Sequence, residues 1–310
     1  MIVLAHSLDE ARRGTGEIQA AGTDVLARRR TGVSRGDIVD INRVDGLRDV
    51  DLREDGATVG ALLTVHEVAE HEGLKERYSG FAKAAESLAT PQIRRMASLG
   101  GALLQRTRCW YYRHPAFNCY KNGGDDCYAR GGQNPNGVVF DLGACVYPHP
   151  ATLGMALLAY EARVKVNGES RPIDALYDPS DPTSDHTLQP GEILTHVQLP
   201  APVPNEQTAY FRSISRADAE WPLVECLVRL VVEEGVIAFA RVGVGGVASV
   251  PLRLENVERA LLGQSAANET LAEAAKLASD GASPLAQTEW KVTLLERTVL
   301  ETLERATVAE

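Results

Sequence analysis

Residues 105 to 145 obey neither the 3.6-residue period of a helix nor the alternation of a strand. The stretch QRTRCWYYRHPAFNCYKNGGDDCYARGGQNPNGVVFDLGAC is rich in Gly, Asn, Asp, Tyr and Arg. A structureless segment that long is uncommon inside a compact domain unless it carries function or is held by something. It also contains Cys109, Cys119, Cys127 and Cys145, four of the five cysteines in the chain. No apolar core recruits them there, so a cross-link that orders the loop is the constraint any fold must meet.

Thiolates are soft ligands, and four converging on one point suit tetrahedral zinc or an iron-sulfur cluster. Zinc ribbons present sulfurs in close pairs such as C-x2-C, and no such pair occurs; wider spacing suits a larger cluster wrapped by a loop. Free, partly buried thiols without metal are the plain alternative. An odd number of cysteines argues against a disulfide framework. Cys226, alone in PLVECLVRLVV, reads as core.

With 310 residues, 44% of them hydrophobic, the chain can bury a full core and divides into two domains. A formal net charge of -10, with only the short basic runs Arg28 to Arg30 and Arg94-Arg95, gives no basis for binding nucleic acid. The run MIVLA is too short for a signal h-region and lacks a basic segment before it. No window reaches the roughly 18 apolar residues of a membrane span, so a cytoplasmic location is expected, with export through a partner's signal as the other route.

Ser7 to Glu10 and Thr64 to Glu67 have capping-box spacing and each starts a helix. IVDI (38 to 41) and ATVGALL (57 to 63) read as strands. Residues 80 to 104 carry helical periodicity and 151 to 160 look helical. Asn167-Gly168 marks a hairpin, GEILTHVQLP is a strand, and APVPNEQ (201 to 207) is a linker. Strands follow at about 208 to 215, 223 to 233 and 236 to 247, then helices ending with one across about 285 to 308. This is an α+β pattern.

Two small-residue stretches can bring backbone amides against phosphates: IQAAGTDVLARRR (18 to 30) and Ser98-Leu99-Gly100-Gly101-Ala102. The dinucleotide fingerprint is absent, since Gly14-Thr15-Gly16 puts Gln19 at the third glycine position, and this disfavours a Rossmann domain. No Walker loop, metalloprotease helix or nucleophile elbow occurs. His114 and His149 lie in loop sequence and read as solvated.

Taken in order, QAAGTDVL, IVDINRV, ATVGALLTVHEVAEH, PQIRRMASLGGALLQRTRCWYYR, CVYPHPATLGMALLA, PGEILTHVQLP, AYFRSISRADAEWPLVE and ARVGVGGVASVPLR resemble the FAD-binding medium subunit of the xanthine dehydrogenase and molybdenum hydroxylase family. The resemblance spans nearly the whole chain. It is strongest to the branch of periplasmic-type aldehyde oxidoreductases and hydroxybenzoyl-CoA reductases, in which an inserted loop carries a 4Fe-4S cluster.

The resemblance implies a two-part FAD-binding domain of the vanillyl-alcohol-oxidase/PCMH type over residues 1-202, with the iron-sulfur loop at about 105-147. A smaller α+β C-terminal domain follows over 203-310. It implies FAD contacts at Ile18, Gln19, Ala20, Ala21, Gly22, Thr23, Asp24, Val25 and Leu26, at Ser98, Gly100 and Gly101, and at Thr152, Leu194 and Arg212. Cys109, Cys119, Cys127 and Cys145 fall on the cluster ligands. The chain departs from the family at four places: Ala21 replaces a glycine, Ala102 an asparagine and Thr152 an aspartate, and the stretch Glu220-Trp221-Pro222 replaces an aromatic-alanine pattern.

The implied function is electron transfer in a heterotrimer. A large molybdenum-pterin subunit oxidises an aldehyde or N-heterocycle, a small subunit carries 2Fe-2S clusters, and this chain passes electrons through FAD to an acceptor. On the residues alone, a stand-alone flavin oxidase and a zinc-stapled interaction module stay open.

Overall fold

Ser7 accepts from the Glu10 amide at 3.2 Å and starts the helix Leu8–Arg13, while Glu10 reaches back to the amide of His6 at 2.8 Å rather than to that of Ser7. At Thr64 both halves of the box close and the helix Val65–Glu70 follows. The helical pattern over 80 to 104 breaks into three pieces: Ser79–Glu86, Pro91–Arg94 and Leu99–Leu103. Ala89 turns left-handed at φ 49°, and Thr90 stands before a proline, which disfavours helical backbone. Thr90 and Ser98 then cap the next two pieces.

The structure, a computed structural model, describes residues 1–308. Three sheets organise it. Strands β1 (Ile2–Leu4), β2 (Glu17–Gln19) and β3 (Ile38–Asp40) form a parallel sheet in the order β1-β3-β2. Strands β4 (Val50–Arg53), β5 (Gly56–Gly60), β6 (Arg163–Val166), β7 (Glu169–Pro172) and β8 (Leu194–Pro200) form an antiparallel sheet ordered β4-β5-β8-β6-β7. Asn167 and Gly168, both at positive φ, make the hairpin between β6 and β7. The third sheet, β12-β11-β10-β9, contains β9 (Gln207–Ser213), β10 (Val224–Glu233), β11 (Val236–Gly245) and β12 (Leu252–Arg253). The 18-residue helix Trp290–Thr307 packs across β9 and β10.

The helix Thr152–Ala159 reads TLGMALLA, apolar all round, as a helix enclosed on every side should. It packs on helices Ser79–Glu86 and Leu99–Leu103 on one side and on β10 and β11 on the other, so it joins the larger first unit to the smaller second one. Arg229 reinforces the seam: it donates to the carbonyl of Ala159, pairs with Glu206 and lies 4.0 Å over the Tyr160 ring.

The segment 105–145 contains three short helical turns, at Trp110–Arg113, Tyr120–Asn122 and Tyr128–Gly131, and no strand. Its far end is stitched to the second unit, because Val139 and Phe140 both donate to the carbonyl of Val247 and join the core beneath the third sheet.

Lys291 adds a second staple. Buried at 1% exposure, it donates to the carbonyls of Gly137 at 2.8 Å and Gly246 at 2.6 Å, and burial lowers its pKa to about 7. The unfolded chain therefore binds more protons than the folded one between pH 7 and the ordinary lysine range, so this group's contribution to stability rises with pH across that window. The slope is at most about 1.4 kcal/mol per pH unit. In urea unfolding from pH 7 to 9, the stability of wild type relative to Lys291→Met is expected to rise; a constant difference would contradict this account.

Candidate functional site

After β2 the chain runs Ala20 to Asp24 before the helix Val25–Arg30. The amides of Ala21, Gly22 and Thr23 meet no protein acceptor among the described residues. Gly22 stands at φ 77°, and a side chain there would meet Leu26 at 2.9 Å. The turn is thus made by glycine and its amides are left for a ligand.

This turn forms one end of a groove of about 520 Å³, within the range of about 300–1,000 Å³ that ligand sites occupy. It is lined by residues 15 to 25, by Ser98, Gly100 and Gly101, and by Ser184, His186 and residues 188 to 194. Ile18, Gln19, Ala20, Ala21, Gly22, Thr23, Asp24, Val25 and Leu194 all line it. A second cavity of about 250 Å³ adjoins it, sharing Thr23, Asp24, Gly101 and Gln105, and is lined by Thr152, Arg212 and Trp221. Of the residues named from the sequence as cofactor contacts, Leu26 alone lines neither cavity; it is 43% exposed.

Sequence reasoning missed the wall at His186, Leu188 and Pro190, and it also missed Arg108, which lies 4.6 Å over the Trp221 ring. His149, read as solvated, is corrected by the structure. It is 4% exposed, its Nε2 pairs with the carbonyl of Asp185 at 3.0 Å and its Nδ1 accepts from the Ala151 amide, and burial lowers its pKa to about 4.

Asp24 sits where the groove meets the cysteine segment. Its carboxylate accepts from Arg113 at 2.7 Å and from Arg28 at 3.0 Å, and pairs with Arg108 at 3.3 Å. Burial works to raise its pKa, yet these three guanidiniums hold it below the ordinary carboxylate value. Asp185, 7% exposed, clamps the same segment from the other side through Arg106 at 2.9 Å and Lys121 at 3.0 Å. Burial again opposes and the two cations win, leaving it at about 2.

Beyond the clamp, Cys109, Cys119, Cys127 and Cys145 line a single small cavity with Tyr111, Tyr112, Tyr128 and Tyr147. Burial pushes the Cys109 thiol up to about 12 and that of Cys145 to about 11. Among the described residues, no group of three or more His, Cys, Asp or Glu is arranged to hold one metal ion. Cys226 is fully buried in the core of the second unit.

Fold and groove define a two-unit protein built around an extended ligand groove with free amides at one end and a cation and an indole at the other. Residues 5–202 match the family model for the FAD binding domain in molybdopterin dehydrogenase, and residues 209–306 match the CO dehydrogenase flavoprotein C-terminal domain. The chain is 30% identical over 280 residues to the aldehyde oxidoreductase FAD-binding subunit PaoB of Escherichia coli K12, covering 87% of this chain and 84% of that one. It is 25% identical over 244 residues to the carbon monoxide dehydrogenase medium chain of Hydrogenophaga pseudoflava, covering 78% of this chain and 70% of that one.

A solved carbon monoxide dehydrogenase structure from the same organism superposes with a TM-score of 0.77 at 20% identity, covering 98% of this chain and 96% of the other. Quinoline 2-oxidoreductase from Pseudomonas putida 86 superposes with a TM-score of 0.75 at 17% identity, covering 98% and 95%. The chain belongs to the FAD-binding medium subunits of the xanthine oxidase and CO dehydrogenase family. It is an oxidoreductase subunit of the molybdenum hydroxylase kind, with an electron-transfer role.

Removing Asp24 leaves two largely buried guanidiniums, Arg108 and Arg113, without a carboxylate, while Arg28 keeps Glu17. Asp24→Ala is expected to cost about 3 kcal/mol of unfolding free energy, read by urea titration; a loss too small to resolve would show that the arginines are solvated without it.

Proposed function

We propose that this chain takes electrons from the 2Fe-2S clusters of a small partner and passes them through FAD to an acceptor. A large molybdenum-pterin partner would oxidise the substrate, an aldehyde or an N-heterocycle. The assembly would work in the cytoplasm, and the chain would divide into an FAD domain over 1–202 and a C-terminal domain over 203–310. The curated relatives favour aldehyde chemistry, since the E. coli protein is named as an aldehyde oxidoreductase subunit.

The observation that carries the reading is that consecutive residues line the two cavities: Arg108 lines the flavin-side cavity, and its neighbour Cys109 lines the thiol cavity. Bound FAD would supply two-electron redox chemistry, and a 4Fe-4S cluster on the four thiols would supply a one-electron relay. The amides of Ala21 to Thr23 would hold the diphosphate, with Gly100 and Gly101 close beneath it. Arg212 would set charge beside the ring system, and Trp221 with Arg108 would shield its edge from water. Four soft sulfurs line one small void, a donor set that a polynuclear cluster can use. Tyr111, Tyr112 and Tyr147 would keep water from it.

The test is metal and flavin analysis of anaerobically purified protein. About four iron atoms per chain are expected alongside FAD. Cys109→Ser, Cys119→Ser, Cys127→Ser and Cys145→Ser should each lose that iron, while Cys226→Ser keeps it. Iron-free wild type, or equal loss across all five variants, would defeat the cluster assignment; zinc in place of iron would select the stapled module.

A further inference from the structure

Glu225 is a buried carboxyl with no cation hydrogen-bonded to it. It stands on β10 at 2% exposure, and its oxygens are spent on hydroxyls: Thr152 donates to Oε1 at 3.1 Å and Tyr210 to Oε2 at 2.8 Å. Arg212, its register partner on β9, acts at longer range, and Cys226 is its neighbour on the same strand. His149, Glu220 and Lys291 line the same cavity from the loop before helix Thr152–Ala159, the loop before β10 and the last helix. Burial outweighs the pull of Tyr210, Thr152 and Arg212 and raises the Glu225 pKa to about 7, so the carboxyl holds its proton far more readily than an exposed glutamate.

The fold makes room for this side chain. Gly245 lies opposite on β11, and a Cβ there would stand 2.5 Å from Oε1. The place it occupies is the wall between two cavities. Thr152 lines the flavin-side cavity with Arg212 and Trp221, whereas Glu225 lines a cavity of about 500 Å³ that runs from Trp221 to Trp110 and Tyr147. Thr152, whose hydroxyl bonds Glu225, thus stands between the acid and the flavin-side cavity that it lines.

Resting on the FAD reading above, we propose that Glu225 stores one proton for the flavin and delivers it through the Thr152 hydroxyl. As two electrons arrive from the partner's clusters, the Thr152 hydroxyl turns away from Oε1 so that its oxygen accepts the Glu225 proton, and the hydrogen it carried passes into the flavin-side cavity. Threonine is unchanged and glutamate is left as the carboxylate. When the acceptor removes the electrons, the proton returns by the same route. Glu225 thus acts through Thr152, as a positioning and proton-holding residue.

Proton counting tests this on the native FAD-loaded protein with its co-purifying chains. The flavin is reduced anaerobically in weakly buffered solution and the protons taken from solvent are measured. In the pH window below about 7 where Glu225 is protonated before reduction and ionised after it, wild type is expected to take up to one proton fewer per two electrons than Glu225→Gln, and the two should converge on either side of that window. Equal uptake at every pH overturns the proposal. Where Glu225→Gln fails to retain flavin, the redox infrared difference spectrum of wild type decides. Reduction within that window should remove the carbonyl band of a buried protonated carboxyl, and a band unchanged at every pH overturns the assignment. Wild type that holds no flavin at all would defeat the FAD reading itself, a result distinct from either of these.

Discussion

Asp24 is the point through which the first unit holds together. One carboxylate, in the turn that makes the amide end of the groove, meets guanidiniums from the following helix and from two places in the cysteine segment. Three cations this close repel one another, and Asp24 is what lets Arg108 and Arg113 face inward. Facing inward, Arg108 reaches over Trp221 on the second unit, and Arg113 returns to the carbonyls of Arg106 and Thr107 that open the segment. Asp185 repeats the device with Arg106 and Lys121. A stretch with neither helical nor strand periodicity is thus ordered by two buried carboxylates before any cofactor is considered.

The second unit serves the groove by what it pushes into it. Along β10, Leu227 joins the core of the first unit while Cys226 and Val228 join that of the second, so the strand belongs to both. Arg229 and Lys291 fix the seam at two points, and Arg212 and Trp221 arrive opposite Thr152 as a result. The adjoining cavity is made between the units, whereas the groove itself is lined by the first unit alone.

Much of the local structure was legible in the sequence because its causes are local. The Thr64 box, the Asn167-Gly168 hairpin and the apolar helix over 152–159 each announce themselves within a few residues. The amide turn at 20 to 24 and the gathering of Cys145 with three distant thiols were named, the second through family resemblance rather than spacing.

Long-range features were not legible. The parallel sheet pairs β3 with both β1 and β2, and nothing local in Ile2–Leu4 declares it. His149 looks like a loop histidine until Asp185, 36 residues away, covers it. The groove wall at 184–193 has the composition of an ordinary loop, and Glu225 looks like a strand-end charge until Tyr210, Thr152 and Gly245 enclose it.

The central claim is that one groove, tied to the thiol cavity through Asp24, is where the flavin lies. A crystal structure of the protein isolated with its own cofactors tests it directly. The account requires flavin density with the diphosphate against the amides of Ala21 to Thr23 and the ring system beside Thr152, Arg212 and Trp221. Flavin bound elsewhere, or an empty groove in protein that holds flavin in equal amount to chain, would contradict it.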